Sequence, residues 1–329
     1  MWYRLLFLLQ KFTFAKLFNS VCLRISYLVK IVFKNTGICG YPEAISVEPA
    51  AVCNLHCPQC TVGRGELLRQ ADFMDLSLYH KIVDELGKKL WYVLLYFQGE
   101  PFLSKEFFEF VNYASDKKIY TATSTNGHYL TAENCEKIVK SRLDEIVISL
   151  DGLNAEEYIR YRKGGDFDRV VEGIKRLAET KKRLNSKKPV ITLQFIVFSH
   201  NEKSAGGFKS FAKSLGADMA ELKTAQLLDL KQVSLLPENK KFRRYKIENG
   251  VAVLNKRLKN RCWRMWHSSV VNSDGIVVPC CFDKNADFAL GNLNESTFAK
   301  IWKSGKYKSF RNEVFTSRKS ISMCNNCTE

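Results

Sequence analysis

Between residues 44 and 226 the chain alternates short apolar runs rich in β-branched and aromatic residues with stretches of helical period, and few folds accept that alternation. The strand candidates are 44–49, 90–97 (LWYVLLYF), 119–125, 145–150, 190–197 (VITLQFIV) and 220–225. Helix-period stretches lie near 76–89, 104–117, 131–141, 167–183 and 204–214. Strands that are apolar throughout are covered on both faces, which describes a parallel sheet with helices crossing over it. Six such units predict an α/β partial (β/α)6 barrel of the TIM type. In such folds the reactive residues gather where strands end. With 329 residues, 46% of them hydrophobic, the chain has enough apolar material for one large domain and an appendage.

Cysteine placement adds chemistry to this frame. Of 11 cysteines, seven fall in two groups: Cys53, Cys57 and Cys60 just after the first strand, and Cys262, Cys280, Cys324 and Cys327 near the carboxyl terminus. Short spacings favour metal over a disulfide framework and point to a reducing compartment. Four-iron clusters are normally held by four thiolates. Three leave one iron open to chelate a small molecule and pass it an electron. A zinc site is the plainer alternative for the triplet. Cys22, Cys39 and Cys135 stand alone and, with Cys281, read as ordinary small apolar residues.

Charge is unevenly placed. Residues 1–42 hold six Lys/Arg and no acid, residues 43–226 hold 26 basic and 25 acidic residues, and residues 227–329 hold 19 basic and nine acidic. Basic ends around a neutral middle suit an anionic surface or substrate, with solubility as the simpler account. In residues 1–34 the apolar runs are broken by Arg4, Lys11, Lys16, Arg24 and Lys30, so none reaches the ~18–20 residues of a spanning helix. No small-residue cleavage site marks a signal peptide. Aromatics, leucines and lysines without acid fit a helix in the cytoplasmic membrane interface, cations over lipid phosphates. A helical arm packed on the protein or on a second subunit is the other reading.

The run Cys53-Asn54-Leu55-His56-Cys57-Pro58-Gln59-Cys60 resembles the C-x3-C-x2-C signature of the radical S-adenosylmethionine (radical SAM) enzymes, and the resemblance extends over residues 44–226. It implies a [4Fe-4S] cluster on Cys53, Cys57 and Cys60 that binds S-adenosylmethionine and, once reduced, cleaves it to a 5′-deoxyadenosyl radical. Gln98-Gly99-Glu100-Pro101 is similar to the family segment that accepts from the methionine ammonium. Ser124-Thr125-Asn126-Gly127 falls where members meet the ribose. Ser149 and Arg162 resemble the pair that holds the methionine carboxylate; arginine suits this by its forked donors. Gln59 departs from the pattern, because members usually carry an aromatic there beside the adenine; Phe195 or Ile196 is the stand-in. The tail resembles a SPASM domain, or its shorter twitch form, with one auxiliary [4Fe-4S] cluster on Cys262, Cys280, Cys324 and Cys327, a four-cysteine zinc ribbon being the alternative. The implied division is an arm at 1–43, the radical SAM core at 44–226, a basic linker at 227–261 and the auxiliary-cluster domain at 262–329.

A fully ligated auxiliary cluster moves electrons. The expectation is therefore an oxidoreductase that dehydrogenates a polar, hydroxylated, anionic substrate, carbohydrate-like or lipid-linked, with the auxiliary cluster as acceptor. A reductase such as flavodoxin or ferredoxin would supply the first electron, in the cytoplasm and with the arm on the inner membrane face. Modification of a peptide or protein is the alternative. A zinc-stabilised nucleic-acid- or membrane-binding protein is a third reading, but no aromatic-basic run, helix-turn-helix or RNP-like strand supports nucleic acid. The general base is not identified; Lys223 and Glu48 fit only in outline.

Overall fold

A computed structural model describes residues 2–33, 37–70, 72–256 and 258–327. Six parallel strands, β1 (Ala44–Val47), β2 (Tyr92–Leu94), β3 (Tyr120–Thr125), β4 (Glu145–Ser149), β5 (Val190–Val197) and β6 (Met219–Thr224), pair in chain order. Helices α3 (Leu76–Leu86), α4 (Phe107–Asp116), α5 (Ala132–Lys140), α6 (Ala155–Tyr161), α7 (Phe167–Arg183) and α8 (Phe208–Ser214) return the chain between them. This is the expected partial barrel. α6 was not expected; it is a short helix whose amino end is capped by Asn154, which accepts from the Glu157 amide at 2.9 Å.

The alternation of side chains along each strand layers the barrel interior. At the amino ends, Tyr92, Leu94, Tyr120, Ala122, Val190 and Met219 pack around Phe7. In register with Ala122 and Val190, the Glu145 carboxylate accepts from the Tyr120 hydroxyl (3.2 Å) and the Thr192 hydroxyl (3.0 Å). At the carboxyl ends, Ser124, Ser149, Gln194, Ile196 and Lys223 line a cavity.

The sheet does not stop at β1. On its far side β9 (Ser268–Val271) pairs in parallel with β1, β10 (Ile276–Val278) runs antiparallel to β9, and β11 (Gly291–Asn292) pairs with β10, making nine strands in one sheet. The carboxyl-terminal segment therefore continues the barrel sheet. The basic stretch 227–261 also carries structure: β7 (Tyr245–Glu248) and β8 (Val251–Leu254) form a hairpin through Asn249 and Gly250, both with positive φ (50° and 75°). α9 (Arg264–His267), α10 (Phe298–Trp302) and α11 (Gly305–Ser317) complete the chain.

The arm folds onto the protein as α1 (Trp2–Gln10) and α2 (Phe14–Phe33). Three of its cations do not point away as the interfacial reading requires. Lys11, Lys16 and Lys30 are buried. Lys11 pairs with the fully buried Asp144 (3.5 Å), Lys16 Nζ donates to the carbonyls of Lys11 (3.1 Å) and Lys118 (2.5 Å), and Lys30 Nζ donates to Asn312 (2.7 Å). The buried Asp144, which Lys188 also pairs with, and open carbonyls at the barrel's amino end attract these ammonium groups, which corrects the expected orientation. Lys34, also counted in the arm, lies outside the described residues. Among the described residues no helix is long and apolar enough to cross a membrane.

Candidate functional site

The cysteine triplet sits in the loop leaving β1, and its neighbours fix the loop's path. Glu100 donates its amide to the Val52 carbonyl (2.8 Å), His56 donates to the Lys163 carbonyl (2.9 Å), and Cys60 to the Cys57 carbonyl (3.2 Å). Gly99 has φ +69°, and a Cβ there would fall 2.3 Å from the Ala50 carbonyl oxygen and 2.6 Å from that of Val52. Only glycine lets the two backbones meet. Burial pushes the Cys53 thiol up to about 11, and raises Cys57 as well, against the pull of Arg162. Thiols that resist ionisation in this pocket gain most from a metal that takes the proton's place.

Glu100, which caps the 3₁₀ turn that begins at Pro101, is the hub behind the loop. Its carboxylate accepts from the Thr125 hydroxyl (2.7 Å) and the amides of Asn126 (2.8 Å) and Phe102 (3.2 Å). Burial nevertheless raises it to about 7. Asn126 turns its side-chain amide to Asn54 Oδ1 (2.8 Å) and towards Cys53 Sγ (3.7 Å). The end of β3 is thereby tied to the first cysteine.

Arg162 follows α6. Its Nε donates to Asp151 Oδ2 at 2.6 Å, and its Nη1 points to Cys57 Sγ at 3.8 Å. Asp151, fully buried, raises the already high basicity of this guanidinium against desolvation. Ser149, at the end of β4, lines the same cavity. Gln59 also borders the cavity, where it donates to Gln232 (2.6 Å) and accepts from the Leu228 amide (2.8 Å). Of the two suggested substitutes for its missing ring, Ile196 faces the cavity; Phe195 is turned outward against Phe208 (4.9 Å) and is no candidate. Glu48 is equally committed: it pairs with Arg69 and accepts from the amides of Gln98 (3.2 Å) and Ser273 (3.0 Å). It is fully buried and does not border the cavity.

These residues enclose about 550 Å³. Cys53, Cys57, Cys60, Gly99, Glu100, Thr125, Asn126, Ser149 and Arg162 all border it; Pro101 stands behind. The opposite wall holds three cations the sequence reading did not single out as a group: Lys223, Arg244 and Lys284. Arg244 leads into the hairpin strand β7, and its Nε and Nη1 are buried without a hydrogen-bond partner, the Tyr245 hydroxyl being its polar neighbour. Lys284 lies over the Phe97 ring (4.8 Å), and Lys223 pairs with Glu221 (2.9 Å). The Asn-Gly turn at 249–250 was the available signal that this basic stretch is a structured wall.

A second hollow is lined by Cys262, Cys280, Cys324 and Cys327 together with Arg264, Phe282, Arg318 and Met323. Cys281 does not line this hollow; Arg264 Nη1 donates to its Sγ at 3.6 Å. Arg318, buried in the hollow, donates to Cys327 Sγ at 3.3 Å. Burial raises Cys324 to about 11, with Arg318 opposing it. Phe282 and Met323 line both hollows. Zinc draws its thiolates to ~2.3 Å of one point, whereas a cubane spreads them over separate irons. The two sets supply three and four thiols, the donors that four-iron clusters take.

The chain matches the radical SAM superfamily over residues 47–201 and the SPASM iron-sulfur cluster-binding domain over residues 262–328. It is 24% identical over 312 residues to the tungsten-containing aldehyde ferredoxin oxidoreductase cofactor-modifying protein of Pyrococcus furiosus, covering 86% of each chain. To the mycofactocin maturase MftC of Mycolicibacterium smegmatis it is 31% identical over 137 residues, 42% of this chain and 34% of that protein. Its fold is shared with Streptococcus suis SuiB bound to the precursor peptide SuiA (TM-score 0.64, 14% identity, 92% of this chain and 73% of that one). The cofactors of this class are S-adenosylmethionine and four-iron clusters that include an auxiliary one, and the two cysteine-lined hollows have the donors to hold them. The chain belongs to the radical SAM superfamily and carries a carboxyl-terminal SPASM domain.

Proposed function

We propose that this enzyme removes hydrogen from a carbon of an anionic peptide or protein segment, as a maturase, in preference to dehydrogenating a free carbohydrate. The relatives' activities, cofactor modification and maturation, support the class of reaction. The cavity supports the anionic character: Arg162, Lys223, Arg244 and Lys284 border it, and its one carboxylate, Glu100, is turned to Thr125 and Asn126.

When bound, the reduced cluster and S-adenosylmethionine supply a 5′-deoxyadenosyl radical. The protein's part is to place it. In this reading Cys53, Cys57 and Cys60 are the cluster ligands, and Ser149 with Arg162 holds the methionine carboxylate. Gly99 brings backbone carbonyls close to the methionine ammonium, and Thr125 and Asn126 face the ribose. On the opposite wall Arg244, Lys223 and Lys284 seat a substrate carboxylate or phosphate. Cys262, Cys280, Cys324 and Cys327 hold the auxiliary cluster as an electron acceptor, and Phe282 and Met323 form the partition an electron would cross. Flavodoxin or ferredoxin serves as the outside reductant.

A second reading keeps a small anionic, hydroxylated molecule, carbohydrate-like or lipid-linked, as substrate. It is favoured by the cavity volume of about 550 Å³, within the range of small-molecule sites. Deuterium transfer separates the two. Anaerobic enzyme with reductant and S-adenosylmethionine is offered deuterated acidic peptides or deuterated sugar phosphates, and 5′-deoxyadenosine is weighed. Label from peptides, lost in Arg244→Ala, is the expected result; label from sugar phosphates alone would reverse the order of the readings.

A further inference from the structure

The arm is turned inside out relative to an ordinary surface helix. α2 buries Lys16, Asn19, Ser20, Ser26 and Lys30. It exposes Phe14 (82%), Phe18 (71%), Val21, Ile25, Leu28 and Val32. The inward polar groups are matched: besides the lysines already described, Asn19 exchanges two 2.8 Å bonds with the Tyr41 backbone, and Ser26 donates to the Leu23 carbonyl (3.0 Å). Rotating the helix would orphan these groups, so the outward apolar face is locked in place. An apolar stripe of this size marks an interaction surface.

From this we infer that the outer face of α1 and α2 lies in the interface of an anionic lipid bilayer. Three observations choose lipid over a second copy of the chain. The outward residues step 14, 18, 21, 25, 28, 32, but Leu17 and Ile31 beside them are also exposed. The face is therefore wider than a two-helix seam, and the flanking positions that carry pairing charges in a coiled coil are mostly apolar. Next, the surroundings are cationic. Exposed Lys118 receives Lys16 at its carbonyl, exposed Lys303 lies over Tyr41, and exposed Lys259 and Arg261 share a hollow with Tyr27 of α2. Residues 1–42 contain no acid. An apolar face rimmed by cations complements anionic headgroups and repels its own copy. Last, with no helix able to cross a membrane among the described residues, the arm lies flat. Phe7 of α1 plugs the amino end of the barrel, while the cavity opens at the strands' carboxyl ends. The α1 end of the face is thus at the opposite end of the barrel from the cysteine-triplet cavity, while α2 runs on to Cys262 through Tyr27.

The test is flotation of the full-length, cluster-loaded enzyme with phosphatidylcholine vesicles, with and without phosphatidylserine. Binding is expected with phosphatidylserine and should weaken as salt is raised. Combining Phe14→Glu, Phe18→Glu and Leu28→Glu should reduce the bound fraction at least about tenfold, with iron content and 5′-deoxyadenosine formation unchanged. The milder pair Ile25→Ser and Val32→Ser should fall in the same direction if the triple variant loses its clusters. Wild-type protein that stays unbound, or variants that float like wild type, would overturn the inference. So would a solution dimer that the substitutions split, which would make a second copy the occupant.

Discussion

Asp151 holds Arg162 by a 2.6 Å bond to Nε, and by doing so aims the far end of the guanidinium at Cys57. A carboxylate just past β4 thus decides where the cation beside the cluster loop stands. Asp151 also accepts from the Ile196 amide (2.6 Å), so the same side chain ties β4 to β5.

Replacing Asp151 by alanine leaves a buried cation uncompensated, at a cost of about 3–5 kcal/mol. The expected outcome is a lower melting temperature together with loss of 5′-deoxyadenosine formation. Arg162→Lys should keep most of the stability and lose most of the S-adenosylmethionine affinity, because an ammonium cannot fork between Asp151 and a carboxylate. Thermal unfolding and equilibrium binding of S-adenosylmethionine separate the two effects.

Gly99→Ala forces a methyl group to within 2.3 Å of the Ala50 carbonyl at a positive φ. The cysteine loop must move, while the second cysteine set is untouched. Roughly half the iron should be lost on anaerobic purification, with the remainder redox-active. Full iron content in this variant would show that the loop tolerates the shift.

Arg318 stands among Cys262, Cys324 and Cys327 and donates to Cys327. Its positive charge favours the more negative, reduced state of whatever those thiolates bind. Arg318→Gln should lower the reduction potential of the auxiliary cluster by on the order of tens of millivolts, with Arg318→Lys intermediate. Potentiometric titration followed by electron paramagnetic resonance reads this directly; an unchanged potential would make Arg318 a packing residue.

Burial lowers Lys16 from 10.5 to about 8. Between those values the unfolded chain binds more protons than the folded one, so stability rises with pH across that window. Melting temperature should therefore climb from pH 8 towards 10.5 in wild type by an increment that Lys16→Met abolishes.

Much of the barrel was legible because its strands are apolar on both faces. β5, VITLQFIV, was placed to the residue, and its Gln194 and Ile196 reach the cavity by simple alternation. α6 was missed because seven residues are too few to show a helical period. Asn249-Gly250 is a strong turn signal for the hairpin at 245–254, but its strands are four residues each and leave little alternation to read. The arm's amphipathic character could be read, but which face turns inward could not. That depends on Asp144 and the Lys118 carbonyl, more than a hundred residues away, and no periodicity encodes them. The cationic wall likewise draws Lys223, Arg244 and Lys284 from three separate segments.

The parallel pairing of β1 with β9 bears on how the chain is made. Until residues 268–271 leave the ribosome, the strand that launches the cysteine loop has only β2 beside it, and its other edge presents open amide and carbonyl groups. A fragment stopped at residue 261 keeps that edge for good and is set to stick to other nascent chains. The last fifth of the polypeptide thus serves the first strand as its permanent neighbour, and that edge stays open until β9 has been made.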